Sequence, residues 1–289
     1  MRSVLPTILV AGLAFTGAVG CSSDNGDSDG DDGAAGASAV PDGGGVPVAD
    51  LPEFSFFVSS LEAMRRLSGS EAGFGGDLRY GEADGLSGAD KICTEIADYS
   101  MAGAGQKGWR AFLSVTAGPD GNPVNAIDRI GSGPWYDRLG RVIAMNLTDL
   151  ANQRPVGADP AIINDLPNEY GVPNHVPDPM EGEVDNHDIL TGSDTAGRLF
   201  GGEESTCRDW TSAVGSAGTP RCGHSWPRQD GGGRTGGGMG DMAHWISALD
   251  EAGCAAGVSL IENGPPDESN PTVGSGGGYG GIYCFALMP

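Results

Sequence analysis

Six cysteines, at positions 21, 93, 207, 222, 254 and 284, constrain this chain more than any other feature. The first stands where an apolar run gives way to aspartate and glycine, in TGAVGCSSDNGDSDGDDGAAG (residues 16–36). Upstream, Arg2 precedes an apolar stretch over residues 4–19, shorter than the roughly 20 residues a helix needs to cross a bilayer. A charged start followed by a short greasy run reads as an export signal rather than a membrane span. Exported cysteines meet an oxidising compartment, so the remaining ones are expected to cross-link the fold. Spacing alone leaves their pairing open.

Ala18, Val19 and Gly20, just before Cys21, resemble the lipobox of bacterial lipoproteins, where a dedicated peptidase cuts and leaves a diacylated cysteine. The resemblance implies that residues 1–20 are a lipoprotein signal peptide and that Cys21 is the lipid anchor to a membrane. Ser22 follows, where an aspartate would favour the inner membrane; the implied address is the outer membrane of a Gram-negative cell envelope. An ordinary signal peptide cleaved nearby is the alternative, because small residues precede those sites too. Acyl chains contribute about 0.8 kcal/mol per buried methylene, so such an anchor needs no transmembrane helix.

The formal net charge of −23 disfavours nucleic acid and anionic headgroups as partners, since like charges repel and no basic stripe offsets them. Solubility of an exposed protein explains the same acidity. Only 38% of the chain is hydrophobic, and 51 glycines with 19 prolines mark extensive loops, which points to one domain with large excursions. Residues 21–52 hold hardly a large side chain and cannot offset ordering entropy by burial; they read as a disordered, acidic, Gly/Asp-rich tether. The folded domain is expected over residues 53–289.

Within it, FSFFVSS from Phe54 suits a strand. A variable, glycine-punctuated stretch leads to GLSGADKICTEIADYS, the clearest helix, with Ser87 and Asp90 at capping-box spacing. Its Ala89, Ile92, Cys93, Ile96 and Ala97 share one face, so Cys93 points inward. GWRAFLSV (residues 108–115) alternates like a strand, and GPWYDRLGRVIAM reads as two short strands about a Gly140 turn. Residues 151–188 lack periodicity, as a functional or insertion loop does. STCRDWTSA is a further strand candidate, carrying Cys207 and Trp210. A second glycine-rich insert, DGGGRTGGGMGD, follows, and the chain closes on GGIYCFALMP.

The order GADKIC, WRAFLS, TGSDTAGR, CRDWTSA, YCFA resembles the C-type-lectin-like superfamily, specifically its endostatin-like branch and a related domain of unknown function in bacterial lipoproteins, over residues 54–287. The resemblance implies an α+β fold: a twisted, mostly antiparallel sheet with two flanking helices and long Gly/Pro-rich loops. Residues 151–206 take the place of the family's loop region. Family disulfides join the first helix to the final strand and the middle strand to the segment after it, which implies Cys93 with Cys284 and Cys207 with Cys254. The second departs from endostatin, since the segment just before the last strand has no cysteine here and Cys254 lies further upstream. With Cys21 lipidated, five cysteines remain and one is odd. Cys222, in PRCGHSW, is the free-thiol candidate; a local bridge from Cys222 to Cys207 is the rival reading.

Several motifs promise chemistry that their context withholds. GDSDG (residues 26–30) matches a nucleophile elbow, but no strand or helix is expected around it. Asn25, Asp27 and Asp29 have EF-hand spacing, yet the twelfth loop position is Gly36 rather than glutamate. GGGYGG (residues 276–281) precedes a strand instead of opening a helix, unlike a dinucleotide fingerprint. His175, His187, His224 and His244 lack zinc-motif spacing, so no metal is assigned to them, and none precedes His175 where endostatin holds its zinc. Calcium-dependent sugar binding in true C-type lectins pairs a loop triplet with Trp-Asn-Asp on the following strand. Here the loop holds LPNEYGVPN and VPDPMEGEVDNHD, but the strand candidate reads CRDWTS and the match fails there. The loop oxygens, from Asn168, Glu169, Asp178, Glu181, Glu183, Asp185, Asn186 and Asp188, could surround calcium, the one cofactor considered; a solvated acidic surface is the plainer reading. Trp109, Trp135 and Trp210 suit core packing, while Trp226, with His224 beside it, is the exposed ligand-binding candidate.

The expected function is a lipid-anchored, non-catalytic lectin-like binding or surface-scaffold protein, with a glycan or envelope protein as partner. No catalytic residue is assigned. Alternatives are an envelope hydrolase using carboxylates of residues 164–188 and a calcium-stabilised structural protein. Fold likeness by itself carries no ligand.

Overall fold

A computed structural model describes residues 47–174, 186–226, 244–261 and 265–289. Residues 1–46, where the signal peptide, Cys21 and most of the tether are expected, lie outside the described residues, as do His175, Asp178, Glu181, Glu183, Asp185 and residues 227–243. Contacts group Gly45–Pro289 into one unit. No helix among the described residues is long and apolar enough to cross a membrane.

The architecture is mixed α and β. Its centre is β8 (Gly278–Ala286), buried along its whole length. β1 (Phe56–Val58) and β2 (Trp109–Ala111) both pair antiparallel with the C-terminal half of β8, and β5 (Asp188–Leu190) pairs parallel with its N-terminal half. β6 (Arg221–His224) and β7 (Leu249–Asp250) extend the sheet antiparallel from β5, giving six strands in all. A separate pair, β3 (Trp135–Tyr136) and β4 (Val142–Ala144), turns about Gly140, as the sequence expects.

Because side chains alternate along a strand, β8 feeds two cores. Ile282, Cys284 and Ala286 face one that includes α1 (Leu61–Ser68) and α2 (Gly85–Ser100); Tyr283 and Phe285 face another with Trp135, Ile143 and Leu150. A strand buried on both faces must be apolar at every position, which is how IYCFA reads. Large buried aromatics contribute roughly 1.5–3 kcal/mol each, and Trp109, Trp135, Trp210 and Trp245 are all buried. Three of their ring nitrogens find carbonyls: Trp109 to Ala104, Trp210 to Ser114 and Trp245 to Leu150.

The expected helix spans the expected residues, with a different cap. Asp84 is the N-cap, its carboxylate accepting from the Ser87 amide at 2.8 Å. Asp90, read as the box partner, instead accepts from the Ala111 amide at 2.8 Å and from Arg129, tying α2 to β2. α1 is not among the expected elements. Its ends are nonetheless marked in sequence: Ser60 accepts from the Ala63 amide, and Gly69 closes the helix at φ 67°.

The strand expected at STCRDWTSA is absent. Cys207, Arg208, Asp209 and Trp210 form a left-handed turn, with φ of 48°, 57°, 56° and 60°. Four non-glycine residues in that region cost about 1–2 kcal/mol each. Asp209 offsets this by accepting from the Thr116 amide and hydroxyl, both at 2.7 Å, and from Thr206 Oγ1 at 3.1 Å. α2 abuts the turn so closely that a Cβ on Gly85 would lie 2.4 Å from the Asp209 carbonyl oxygen.

Candidate functional site

Disulfides join Cys93 to Cys284 and Cys207 to Cys254, with Cα separations of 5.5 and 5.6 Å. The first ties α2 to β8 and the second ties the left-handed turn to the segment after β7. Cys222 is left as a free, buried cysteine rather than bridged to Cys207. Its thiol points at the Pro220 carbonyl, 3.7 Å away; burial, then the carboxylates of Glu251 and Asp188, push its pKa well above the ordinary range. A thiol held protonated in this way is unreactive.

Of the acidic-loop residues, those described are spread among separate tasks. Glu169 is buried and accepts from the Ser60 amide at 3.0 Å and the Ser60 hydroxyl at 2.6 Å. Asn168 closes a local turn by accepting from the Tyr170 and Val172 amides. Asp165 accepts from the Asn174 amide at 3.1 Å. The geometry therefore assembles no calcium cage from Asn168, Glu169 and Asp188 together.

Asp188 goes elsewhere. It opens β5, and the β5–β6 register sets it directly opposite His224. Side chains at paired positions share a sheet face, so the carboxylate and the imidazole meet. Asp188 Oδ1 lies 3.1 Å from His224 Nε2 and 3.4 Å from His187 Nε2. The two imidazoles stand edge to face with ring centres 4.1 Å apart. Exposure is 3% for His187, 1% for Asp188 and 4% for His224, so the cluster is sealed from bulk water by its own surroundings. Neither Asp188 oxygen has a hydrogen-bond partner among the described residues, despite the short contacts to nitrogen.

Burial alone would raise the Asp188 carboxyl, but the neighbouring His187 and His224 imidazoles outweigh it and hold the pKa below its ordinary value. Glu251, also fully buried, shifts the other way: desolvation first, and then the Asp188 charge, push it well above the usual carboxylate range. Glycine makes room for both acids. A Cβ on Gly276 would come within 2.8 Å of Asp188 Oδ2 and 3.4 Å of Glu251 Oε2, while the Gly276 amide donates to that Glu251 oxygen.

His244 is near in the fold and different in role. Its Nδ1 accepts from the Ile246 amide at 3.1 Å, which leaves Nε2 to carry the ring proton. Its carbonyl accepts from the His224 amide at 3.1 Å, and Arg154 donates to the His224 and Ser225 carbonyls from the other side. Trp226, expected to be exposed, is half-buried; it follows Ser225, whose amide bonds the His187 carbonyl. His224 itself forms part of the buried cluster instead of presenting a surface for a ligand.

The sequence reading missed the partnership of His187, Asp188 and His224. His187 and Asp188 are adjacent, but His224 lies far along the chain, and only strand register joins them. Imidazole nitrogens with one carboxylate oxygen suit a divalent transition metal better than calcium, which takes six to eight oxygens. No protein-family model matches the chain, and no curated protein matches it.

Proposed function

We propose that this chain is a lipid-anchored cell-envelope protein whose domain has the C-type-lectin-like fold and serves as a non-catalytic binding or surface-scaffold module. One observation carries the reading. The described residues that flank 175–185 and 227–243 meet at a single corner of a cross-linked sheet. The Asn186 side-chain amide donates to the Asn174 carbonyl at 3.0 Å, holding the two residues that flank 175–185 together. The His224 amide donates to the His244 carbonyl, and β5–β6 pairing sets Asp188 opposite His224. A rigid scaffold that gathers distant parts of the chain at one corner is a common basis for a recognition surface. The disulfide from α2 to β8 and the mostly antiparallel sheet support the finer, lectin-like reading. The strongly acidic chain suits a neutral glycan or an envelope protein over any polyanion.

The mature full-length chain, extracted in detergent, should carry acyl mass on Cys21 and bind an envelope polysaccharide or protein saturably, without turnover. Hydrolysis of a bound substrate would replace this reading with the hydrolase alternative, and a mature chain lacking acylation at Cys21 would remove the anchor.

A further inference from the structure

We infer that His187, Asp188 and His224 form a binding site for a divalent transition metal of the zinc class. This goes beyond the binding-module reading and does not depend on it. Tetrahedral zinc with nitrogen and oxygen ligands at about 2.0–2.1 Å separates neighbouring donors by about 3.3 Å. The two distances from Asp188 Oδ1 to the imidazole nitrogens, 3.1 and 3.4 Å, bracket that figure. All three donor atoms lie within 4.8 Å of one another.

A second observation points to a ligand. Asp188 is 1% exposed, yet among the described residues neither of its oxygens finds a partner of good hydrogen-bond geometry, with His224 and Glu251 its close polar neighbours. A buried carboxylate without donors is expensive, costing several kcal/mol, and coordination is one of the arrangements that removes the penalty. The oxygen sits close to both imidazole nitrogens, which is the disposition of ligands around a shared centre. The donor set also selects the ion. Two imidazoles and one carboxylate match zinc and its neighbours, whereas calcium and magnesium favour all-oxygen sites. Three protein donors leave one tetrahedral position for a water or a further oxygen.

Cys222 is the competing soft ligand on the same strand, but its thiol is turned to the Pro220 carbonyl. The ion would pin β5 to β6 at the end of their pairing, where Asp188 faces His224.

Zinc titrated by calorimetry into the full-length, chelator-stripped chain in detergent should bind at one ion per chain, with Kd below about 1 μM, and raise Tm by several degrees. His187→Gln and His224→Gln should each weaken binding by at least about 100-fold. Calcium in excess should leave the zinc isotherm unchanged. Should either variant fail to fold, cobalt in the unaltered chain gives the answer: visible bands of a four-coordinate nitrogen and oxygen site support the assignment. A thiolate-to-cobalt charge-transfer band, sub-stoichiometric zinc, or affinity that survives both substitutions would overturn it.

Discussion

Glu169 belongs by sequence to an acidic loop, yet its carboxylate is buried on Ser60, and desolvation pushes its pKa above the ordinary value. For an acid whose folded pKa is raised, the folded state holds the proton more tightly than the unfolded one. Stability is then greatest below the unfolded value, about 4.3, and falls as pH rises through the folded value. Glu169→Gln keeps an acceptor for the Ser60 amide and a donor for its hydroxyl while removing the titration. Calorimetric Tm of the variant minus that of the wild type should therefore increase from about pH 4 to about pH 7. A flat difference would show that Glu169 is not the titrating group. At this scale the sequence is least legible. Glu169 and Asp188 look alike as members of one acidic run, but one meets a serine and the other two imidazoles, and neither meeting leaves a trace in local spacing.

Elements were legible where their own residues decide them. α2 carries its apolar face on helical intervals, and β8 is apolar throughout, so periodicity and composition suffice. The turn at Cys207–Trp210 is the opposite case: tryptophan and threonine favour strands, but the conformation is dictated by Asp209 capturing donors from a distant segment. Two substitutions separate strain from its compensation. Arg208 is exposed with φ 57°, so Arg208→Gly should stabilise the protein by about 1 kcal/mol. Asp209→Ala strands the Thr116 and Thr206 donors and should destabilise it by about 3 kcal/mol. Urea denaturation of both variants provides the measurement; a destabilising Arg208→Gly would mean the turn is not strained as its angles indicate. α1 was within reach as well, since Ser60 and Gly69 mark both of its ends, but eight residues with three basic or acidic side chains give a weak stripe.

Across the whole molecule, two covalent links do different amounts of work. Loop-closure entropy over separations of 191 and 47 residues gives upper values of about 5 and about 4 kcal/mol. Replacing both Cys93 and Cys284 by serine should lower Tm by about 10 °C or more, and further than the Cys207 and Cys254 pair. Equal losses would mean that local packing, not chain closure, sets the effect. Among the described cysteines, free-thiol labelling of the native protein should be negligible, and unfolding without reductant should expose Cys222 alone.

The central strand carries one more consequence. β8 supplies the pairing partner for β1, β2 and β5, yet the Ile282 amide reaches back 223 residues to Ser59. Until that strand emerges during synthesis, β1 and β2 have no partner in the main sheet and the β5–β6–β7 ladder has an open edge, so the two sides of the sheet have no middle to join them. Such a chain stays open until its last residues are made and closes late and slowly, with its half-made edges exposed in the meantime.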